Sequence, residues 1–111
     1  MTIPKKIPKK TKVRVDAVDS SGGKYVLRLF VTGILPNSVR AISNIQAICE
    51  QHLNNRYELE VIDIYQQPSL ALAEGIIAVP VLVKKFPLPE ARLIGDLSNT
   101  EKVLRGLGLI D

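Results

Sequence analysis

The sequence has very few of the side chains on which thiol or metal chemistry depends. Its 111 residues include one cysteine, Cys49, and one histidine, His52. A single cysteine excludes an internal disulfide and is typical of a protein of the reducing cytoplasm. A metal site, or a nucleophile activated by histidine, needs further groups at a fixed spacing, and no such groups accompany His52. We therefore expect no metal and no cofactor, and we interpret His52 as an ordinary surface residue.

Long apolar runs are also absent. No stretch approaches the roughly 20 apolar residues that are needed to span a bilayer, and no apolar segment of a secretory signal follows the lysine-rich N-terminus. A hydrophobic content of 46% over 111 residues is typical of one globular domain with a single core. We expect a cytoplasmic protein that has no membrane partner.

Acidic side chains are scarce at the N-terminus, so the positive charge of the chain is unevenly placed. Residues 1–24 carry seven basic and two acidic side chains, whereas the remainder carries eight and nine, so the local net charges are +5 and −1. Residues 1–23 contain two IPKK repeats and end in Ser-Ser-Gly-Gly, which predicts a disordered basic arm before a folded domain at 24–111. Such an arm could contact nucleic acid or an acidic membrane. We favour a solubilising role and do not expect nucleic acid as a partner.

The domain that follows alternates between strand-like and helix-like patterns. Its first strand is a nearly continuous apolar run, which is typical of a strand covered on both faces. Its first helix carries Val39, Ile42, Ile45, Cys49 and Leu53 at spacings of three and four, so we expect these residues on one buried face and Cys49 as a packing thiol. The predicted strands span 24–32, 57–65, 79–86 and 92–95, and the predicted helices span 36–54, 67–75 and 99–108.

The order βαβαββα is that of a thioredoxin-like unit, an α/β fold with a βαβ first half and a mixed sheet. A redox thioredoxin needs C-x-x-C at the turn between the first strand and the first helix, because the helix N-terminus lowers the pKa of the attacking thiol. Residues 33–38 at that turn read GILPNS and contain no cysteine. The scaffold is typical of a redox protein but the chemistry is absent, which favours a binding protein.

The remaining polar residues do not assemble into a catalytic group. Asp63 could be an acid with a raised pKa, but it lacks a second catalytic group. We expect it to pair with a basic residue or to face a subunit interface. The glycines match neither a phosphate-binding loop nor a dinucleotide-binding motif and are better explained as turn and cap glycines. Ser98 and Glu101 fit a capping box at the start of the last helix. We therefore predict that the protein is not an enzyme and has no catalytic residue.

Six segments of the chain occur in the same order, and at matching spacing, in one known family. They are YVLRLFVTG, PNSVRA, LEVIDI with Pro68 following, IIAVPVL, the P-L-P triplet at 87–89 and LIGDLSNTEKVLRGL. On these segments the chain resembles the KaiB family from Tyr25 to about Ile110, and IGDLS followed by EKVL is the most specific part. Members of that family are small partners of the KaiC ATPase in the cyanobacterial clock and in related bacterial operons.

The resemblance implies a non-enzymatic regulatory protein with two folds. One is a homo-oligomeric ground state, a dimer or tetramer, in which the second half of the chain is arranged differently. The other is a thioredoxin-like monomer that binds the ring of a KaiC-like ATPase and modulates its phosphorylation and ATPase cycle. Tyr25, Arg40 and Lys84 match residues that the family uses around its interface and switching region. In thioredoxin-like folds a proline placed like Pro80 is usually cis and shapes the surface opposite the first helix.

Two glycines at the end of the last helix bear on the balance between the two folds. Gly106 and Gly108 would each cost that helix about 1 kcal/mol relative to alanine if they lay inside it. We therefore predict that the thioredoxin-like form is the minor one in isolation. Gly108 also replaces an acidic residue typical of the family, and Glu60 and Gly75 stand where cyanobacterial members often have lysines.

An alternative interpretation remains open. The chain could be a redox-inactive thioredoxin-like adaptor that binds another protein, or an acidic surface, through its basic arm. Co-purification with a two-domain ATPase would separate this adaptor from a KaiB-like regulator.

Overall fold

The computed structural model of the protein describes residues 24–33 and 35–110, and the predicted N-terminal arm lies outside them. The described residues form a mixed sheet and three helices in the predicted order. No helix in this part of the chain is long and apolar enough to cross a membrane. The strands are β1 (Tyr25–Val31), β2 (Tyr57–Asp63), β3 (Val81–Phe86) and β4 (Ala91–Ile94), and the helices are α1 (Pro36–His52), α2 (Pro68–Ala73) and α3 (Thr100–Gly106).

The strands lie in the order β2-β1-β3-β4. β1 pairs in parallel with β2, from Tyr25 opposite Tyr57 to Val31 opposite Asp63. A parallel pair needs a crossover connection, which α1 supplies. β3 runs antiparallel to both β1 and β4. One end of the sheet therefore contains the last residues of β1, β2 and β4 and the first residues of β3. We call it the carboxyl end of β1.

Two apolar cores cover the two faces of this sheet. Leu27 and Leu29 belong to the larger core, which also contains residues of α1 and α3, whereas Phe30 belongs to the smaller core with residues of α2. The alternation follows from the two-residue period of a strand. Helix α2 has six residues and buries Ala71, so it covers the second face only in part.

The buried face of α1 is rotated relative to the predicted one. Val39 is 47% exposed, so the prediction is wrong for this residue, whereas Ile42 is half-buried and packs against the larger core. Ser38 Oγ accepts a hydrogen bond from the Thr32 N–H at 3.0 Å, which fixes the first turn of the helix against the end of β1 and directs Val39 outwards. Apolar periodicity alone could not show a contact made by a serine. The buried side chains of the helix are Ser38, Ala41, Ile45, Ile48 and Cys49.

The start of α3 also differs from the predicted capping box. Asn99, not Ser98, is the N-cap, and its Oδ1 accepts a hydrogen bond from the Lys102 N–H at 3.1 Å. The Ser98 N–H instead donates to Asp96 Oδ1 at 3.1 Å. Asp96 therefore holds Ser98 in the preceding turn, and asparagine caps a helix as well as serine does.

Candidate functional site

The turn between β1 and α1 is held by Asp63. The Gly33 N–H, at a residue with a φ of +47°, donates to Asp63 Oδ2 at 3.1 Å, and the Tyr65 N–H donates to Oδ1 at 2.8 Å. Among the described residues Asp63 forms no ion pair with a basic residue, so the first alternative predicted for it is wrong, and its place at a subunit interface stays a prediction. Its two oxygens instead join the turns that follow β1 and β2.

Cys49 and His52, both on α1, have the environments that the sequence predicts. Cys49 is buried, and this burial, together with the nearby charge of Glu50, raises the pKa of Cys49 to about 12. The thiol is therefore protonated at neutral pH and is a poor nucleophile. His52 is exposed. Residues 24–33 and 35–110 contain no group of three or more His, Cys, Asp or Glu side chains that could hold a metal ion.

Pro80 and Arg40 lie in one group of contacts at the carboxyl end of β1. The Val79–Pro80 peptide bond is cis, as the thioredoxin-like resemblance implies. The Pro80 carbonyl accepts a hydrogen bond from the Gly95 N–H at 3.0 Å. Arg40 Nε donates to Oδ2 of the next residue, Asp96, at 3.0 Å. We call Pro80, Gly95, Arg40 and Asp96 the carboxyl-end group. It joins the start of β3, the end of β4 and α1.

Asp96 is the centre of the carboxyl-end group, although the sequence analysis did not single it out. Arg40 also donates to the Asn37 side chain, and Asn44 Nδ2 donates to the Asp96 carbonyl at 2.8 Å. Hydrogen bonds from Ser98 and Arg40 lower the pKa of Asp96, and the Ser98 side chain contributes the largest effect. The IGDLS motif contains this residue, but the sequence could not show that its carboxylate meets a side chain 56 residues away.

Tyr25, Lys84 and Gly108 meet at the opposite end of β1, against the C-terminus of α3. The buried Tyr25 hydroxyl donates to the Leu107 carbonyl at 3.0 Å. Lys84 is only 6% exposed, and a Cβ at Gly108 would lie 4.0 Å from Lys84 Nζ. We call these contacts the α3-end group. The tyrosine hydrogen bond holds the end of α3 against β1, and the buried Lys84 of β3 lies beside it.

The predicted site residues thus form two groups rather than one. Val81 lies opposite Ile94 near the carboxyl-end group, and Lys84 lies opposite Ala91 in the α3-end group. Three residues along a strand correspond to about 10 Å. The sequence did not show that the predicted site residues divide into a carboxyl-end group and an α3-end group, because this division depends on how β3 pairs with its neighbours.

Gly106 and Gly108 do not both lie inside the last helix. Gly106 is the last residue of α3, and a Cβ there would approach Leu93 Cδ2 to 2.5 Å, so Leu93 must move before an alanine fits. Gly108 lies beyond the helix with a φ of +79°. Its N–H donates to the Arg105 carbonyl at 3.1 Å, and the Leu109 N–H donates to the Leu104 carbonyl at 2.8 Å. This is the Schellman arrangement that ends many helices, so the helical cost expected for an interior position does not apply to Gly108.

Large apolar side chains are exposed at the carboxyl end of β1. Leu35 and Val39, at the start of α1, are 54% and 47% exposed, and Ile94, at the end of β4, is 66% exposed. Tyr65, which follows β2, is also exposed. We call these four residues the carboxyl-end surface. Exposed apolar side chains that gather at one end of a domain are typical of sites that bind other proteins.

Comparison with known sequences gives a consistent result. The family model described as the KaiB domain matches residues 28–109. The chain is 47% identical over 87 residues to the circadian clock protein KaiB3 of Synechocystis sp., an alignment that covers 78% of this chain and 85% of that protein. It is 50% identical over 86 residues to the circadian clock oscillator protein KaiB of Thermostichus vulcanus, with coverages of 78% and 80%.

Comparison with solved structures concerns the fold. The solution structure of the N-terminal domain of Synechococcus elongatus SasA matches with a TM-score of 0.64 and 22% identity, over 89% of this chain and 97% of that domain. Mitochondrial thioredoxin 3 of Saccharomyces cerevisiae matches with a TM-score of 0.64 and 12% identity, over 78% of this chain and 79% of that protein. These similarities confirm the thioredoxin-like α/β fold that the order of elements predicts.

Proposed function

The chain belongs to the KaiB family, and on that premise we propose that it is a non-enzymatic cytoplasmic regulator that binds a KaiC-like ATPase and modulates its phosphorylation and ATPase cycle. The family match over residues 28–109 carries this proposal. The names of the relatives, which are circadian clock proteins, favour a role in a clock or in a related stress response. The thiol-free turn at residues 33–38 favours binding over redox chemistry.

The carboxyl-end surface is the part of this arrangement best suited to the ATPase. Leu35 and Val39 present apolar side chains to solvent. The next residue, Arg40, forms an ion pair with Asp96, in which Nε and Oδ2 are 3.0 Å apart. Apolar anchors beside charged groups are the usual composition of a protein–protein interface. Arg40 and Pro80 therefore take a partner-binding role in the proposal, Arg40 by contact and Pro80 by shaping the surface.

The α3-end group takes the switching role. The Tyr25 hydroxyl binds the Leu107 carbonyl, and Lys84 lies beside Gly108, in the thioredoxin-like arrangement. Gly106 and Gly108 lie at that same helix end. We propose that release of these contacts accompanies the change to a homo-oligomeric ground state, a dimer or tetramer, of the kind that the family resemblance implies.

Titration against a purified KaiC-like ATPase from the same genome tests the proposal. We expect binding in the presence of ATP, and Val39→Glu should weaken it at least about tenfold because it places a charge in the apolar part of the interface. Ser43→Glu is the matched control, since it adds the same charge to an exposed position on α1 outside the carboxyl-end surface.

Two results would contradict the proposal. Absence of binding by the wild-type protein would remove the regulatory role, and equal losses in the two variants would remove the carboxyl-end surface as the contact. Capture of a different protein that depends on residues 1–23 would favour the adaptor.

A further inference from the structure

One face of the sheet is covered by α2 at one end and by charged side chains at the other. Glu60, Arg28, Val83 and Arg92 lie opposite one another in a row across β2, β1, β3 and β4. Val83 belongs to the core that contains α2, so the charged members of the row point to that same face. Lys85, two residues after Val83, extends the charged layer along β3.

The Glu74 carboxylate lies at the centre of this charged layer. Glu74 is the C-cap residue of α2, and its side chain is only 12% exposed. Its Oε2 lies 3.1 Å from Arg28 Nη1 and 3.0 Å from Lys85 Nζ. Arg92 Nη2 lies 3.5 Å from Oε1 and donates to the Glu74 carbonyl at 2.6 Å. A single residue thus binds cations from β1, β3 and β4.

The other two carboxylates of the layer are peripheral. Glu60 is 45% exposed and lies 3.4 Å from Arg28 Nε. Glu90 is 41% exposed and lies 3.6 Å from Lys85 Nζ and 3.9 Å from Arg92 Nη2. Exposed pairs at such distances contribute little to stability, whereas short charge-assisted hydrogen bonds to one largely buried carboxylate contribute more. The layer therefore depends mainly on Glu74.

We propose that Glu74 is an ionic latch that holds the second half of the chain, from α2 to β4, against β1 in the thioredoxin-like arrangement. Arg28 belongs to the βαβ first half, whereas Lys85 and Arg92 belong to the β3–β4 hairpin, and Glu74 contacts all three from the end of α2. Removing its negative charge leaves Arg28, Lys85 and Arg92 with only the two peripheral carboxylates to offset their mutual repulsion, at the end of the sheet face that α2 does not cover. The hairpin and α2 then lose a common attachment to the first half.

The latch has a consequence for partner binding that rests on the proposed function. A partner that binds one arrangement of the chain loses apparent affinity in proportion to the fraction of protein in that arrangement. Glu74 is not part of the carboxyl-end surface. Its effect on binding therefore runs through the population of the thioredoxin-like arrangement rather than through contact with the partner.

Amide hydrogen exchange of the full chain tests the latch. We expect the amides of β4 to exchange at least about fivefold faster in Glu74→Gln than in Glu90→Gln, while the amides of β1 exchange equally in both. Glu90→Gln is the matched control because it removes a peripheral carboxylate from the same layer. Equal β4 rates in the two variants would overturn the proposal. If Glu74→Gln does not fold, Glu74→Asp, which keeps the charge but shortens its reach, is compared with Glu90→Gln by the same criterion.

Affinity for the KaiC-like ATPase separates this inference from the proposed function. Faster β4 exchange together with weaker binding by Glu74→Gln supports both. Faster exchange in a protein whose wild type does not bind the ATPase supports the latch and removes the proposed function. Unchanged exchange with normal wild-type binding removes the latch and leaves the proposed function in place.

Discussion

The two halves of the molecule contribute unequally to the packed core. β1 lies between two strands, five of its seven residues are buried, and α1 contributes five buried residues. In the second half α2 buries Ala71 and β4 alternates between half-buried and exposed residues, whereas the first four residues of β3 are buried. The first half therefore contains most of the packed core, and the second half contributes a smaller share, mainly through β3 and α3.

A few polar contacts compensate for this difference by crossing from one half to the other. The Tyr25 hydroxyl binds the Leu107 carbonyl, Arg40 binds Asp96, and Arg28 binds Glu74. Polar contacts of this kind are worth far less than a large buried apolar side chain. The arrangement of the second half should therefore be easier to change than that of the first, which accords with the predicted two folds.

Truncation of the core of the first half should have the largest effect. Phe30 is fully buried, so Phe30→Ala should lower the free energy of unfolding by about 3–5 kcal/mol, as measured by urea denaturation. Leu72→Ala, at a position 82% exposed on α2, should change it by less than about 0.5 kcal/mol. Similar losses in the two variants would contradict the burial of Phe30 and the exposure of Leu72.

The cap of α3 should be the next most sensitive position. Gly108 has a φ of +79°, where a side chain is strained, so Gly108→Ala should cost about 1–2 kcal/mol. Gly108→Asn should cost less, since asparagine tolerates this conformation better. The double variant Gly106→Ala with Gly108→Ala should therefore disfavour the thioredoxin-like arrangement, contrary to the expectation from helix propensity alone. A more stable Gly108→Ala protein would show that the cap does not form.

Loss of the tyrosine contact should have a smaller effect. Tyr25→Phe removes the hydrogen bond to the Leu107 carbonyl and should cost about 1 kcal/mol. Tyr57→Phe is the matched control, because the Tyr57 hydroxyl binds an exposed Glu50 carboxylate at 2.9 Å, where water can replace it. Thermal unfolding of both variants measures the difference, and a larger loss in Tyr57→Phe would count against the α3-end group.

The smallest expected effect is a difference in acid sensitivity. The hydrogen bond from Lys85, and the charges of Lys85, Arg28 and Arg92, lower the pKa of Glu74 against the opposing effect of burial. Its pKa in the folded protein is therefore below the ordinary value of 4.5, so its contribution to stability is fully present above that pH and is lost as the pH falls through the folded pKa.

Melting temperatures measured from about pH 6 to pH 3 check this expectation. Those of the wild type should fall more steeply below pH 4.5 than those of Glu74→Gln. All other side chains are the same in both proteins, so the difference between the two curves isolates Glu74. Parallel curves would show that its charge is not coupled to folding.

The sequence predicted the local features of the fold better than the long-range ones. The apolar run of β1 and the spacing in α1 are local patterns, so the elements and their order could be predicted. The exposure of Val39 could not, because it depends on the contact between Ser38 and Thr32. The sequence left open whether Gly106 and Gly108 lie inside the last helix or cap it, because a local pattern does not distinguish an interior glycine from a cap.

The candidate site shows the same limit more strongly. The family resemblance singled out Tyr25, Arg40 and Lys84, but their division between two groups follows from strand register. Glu74 carried no signal at all, since its contacts with Arg28 and Arg92 join residues 46 and 18 positions apart. Ion-pair networks across a sheet become visible only when the strands are in place.

The most direct test of the central claim is an NMR titration of the isotope-labelled protein with the KaiC-like ATPase, read at the β3–β4 hairpin. The claim is that the partner binds the arrangement in which β4 pairs with β3. Bound protein should therefore show antiparallel contacts between Val83 and Arg92 and between Val81 and Ile94, whichever arrangement dominates in the free protein. A bound state that lacks these contacts, or the absence of binding, would contradict the account.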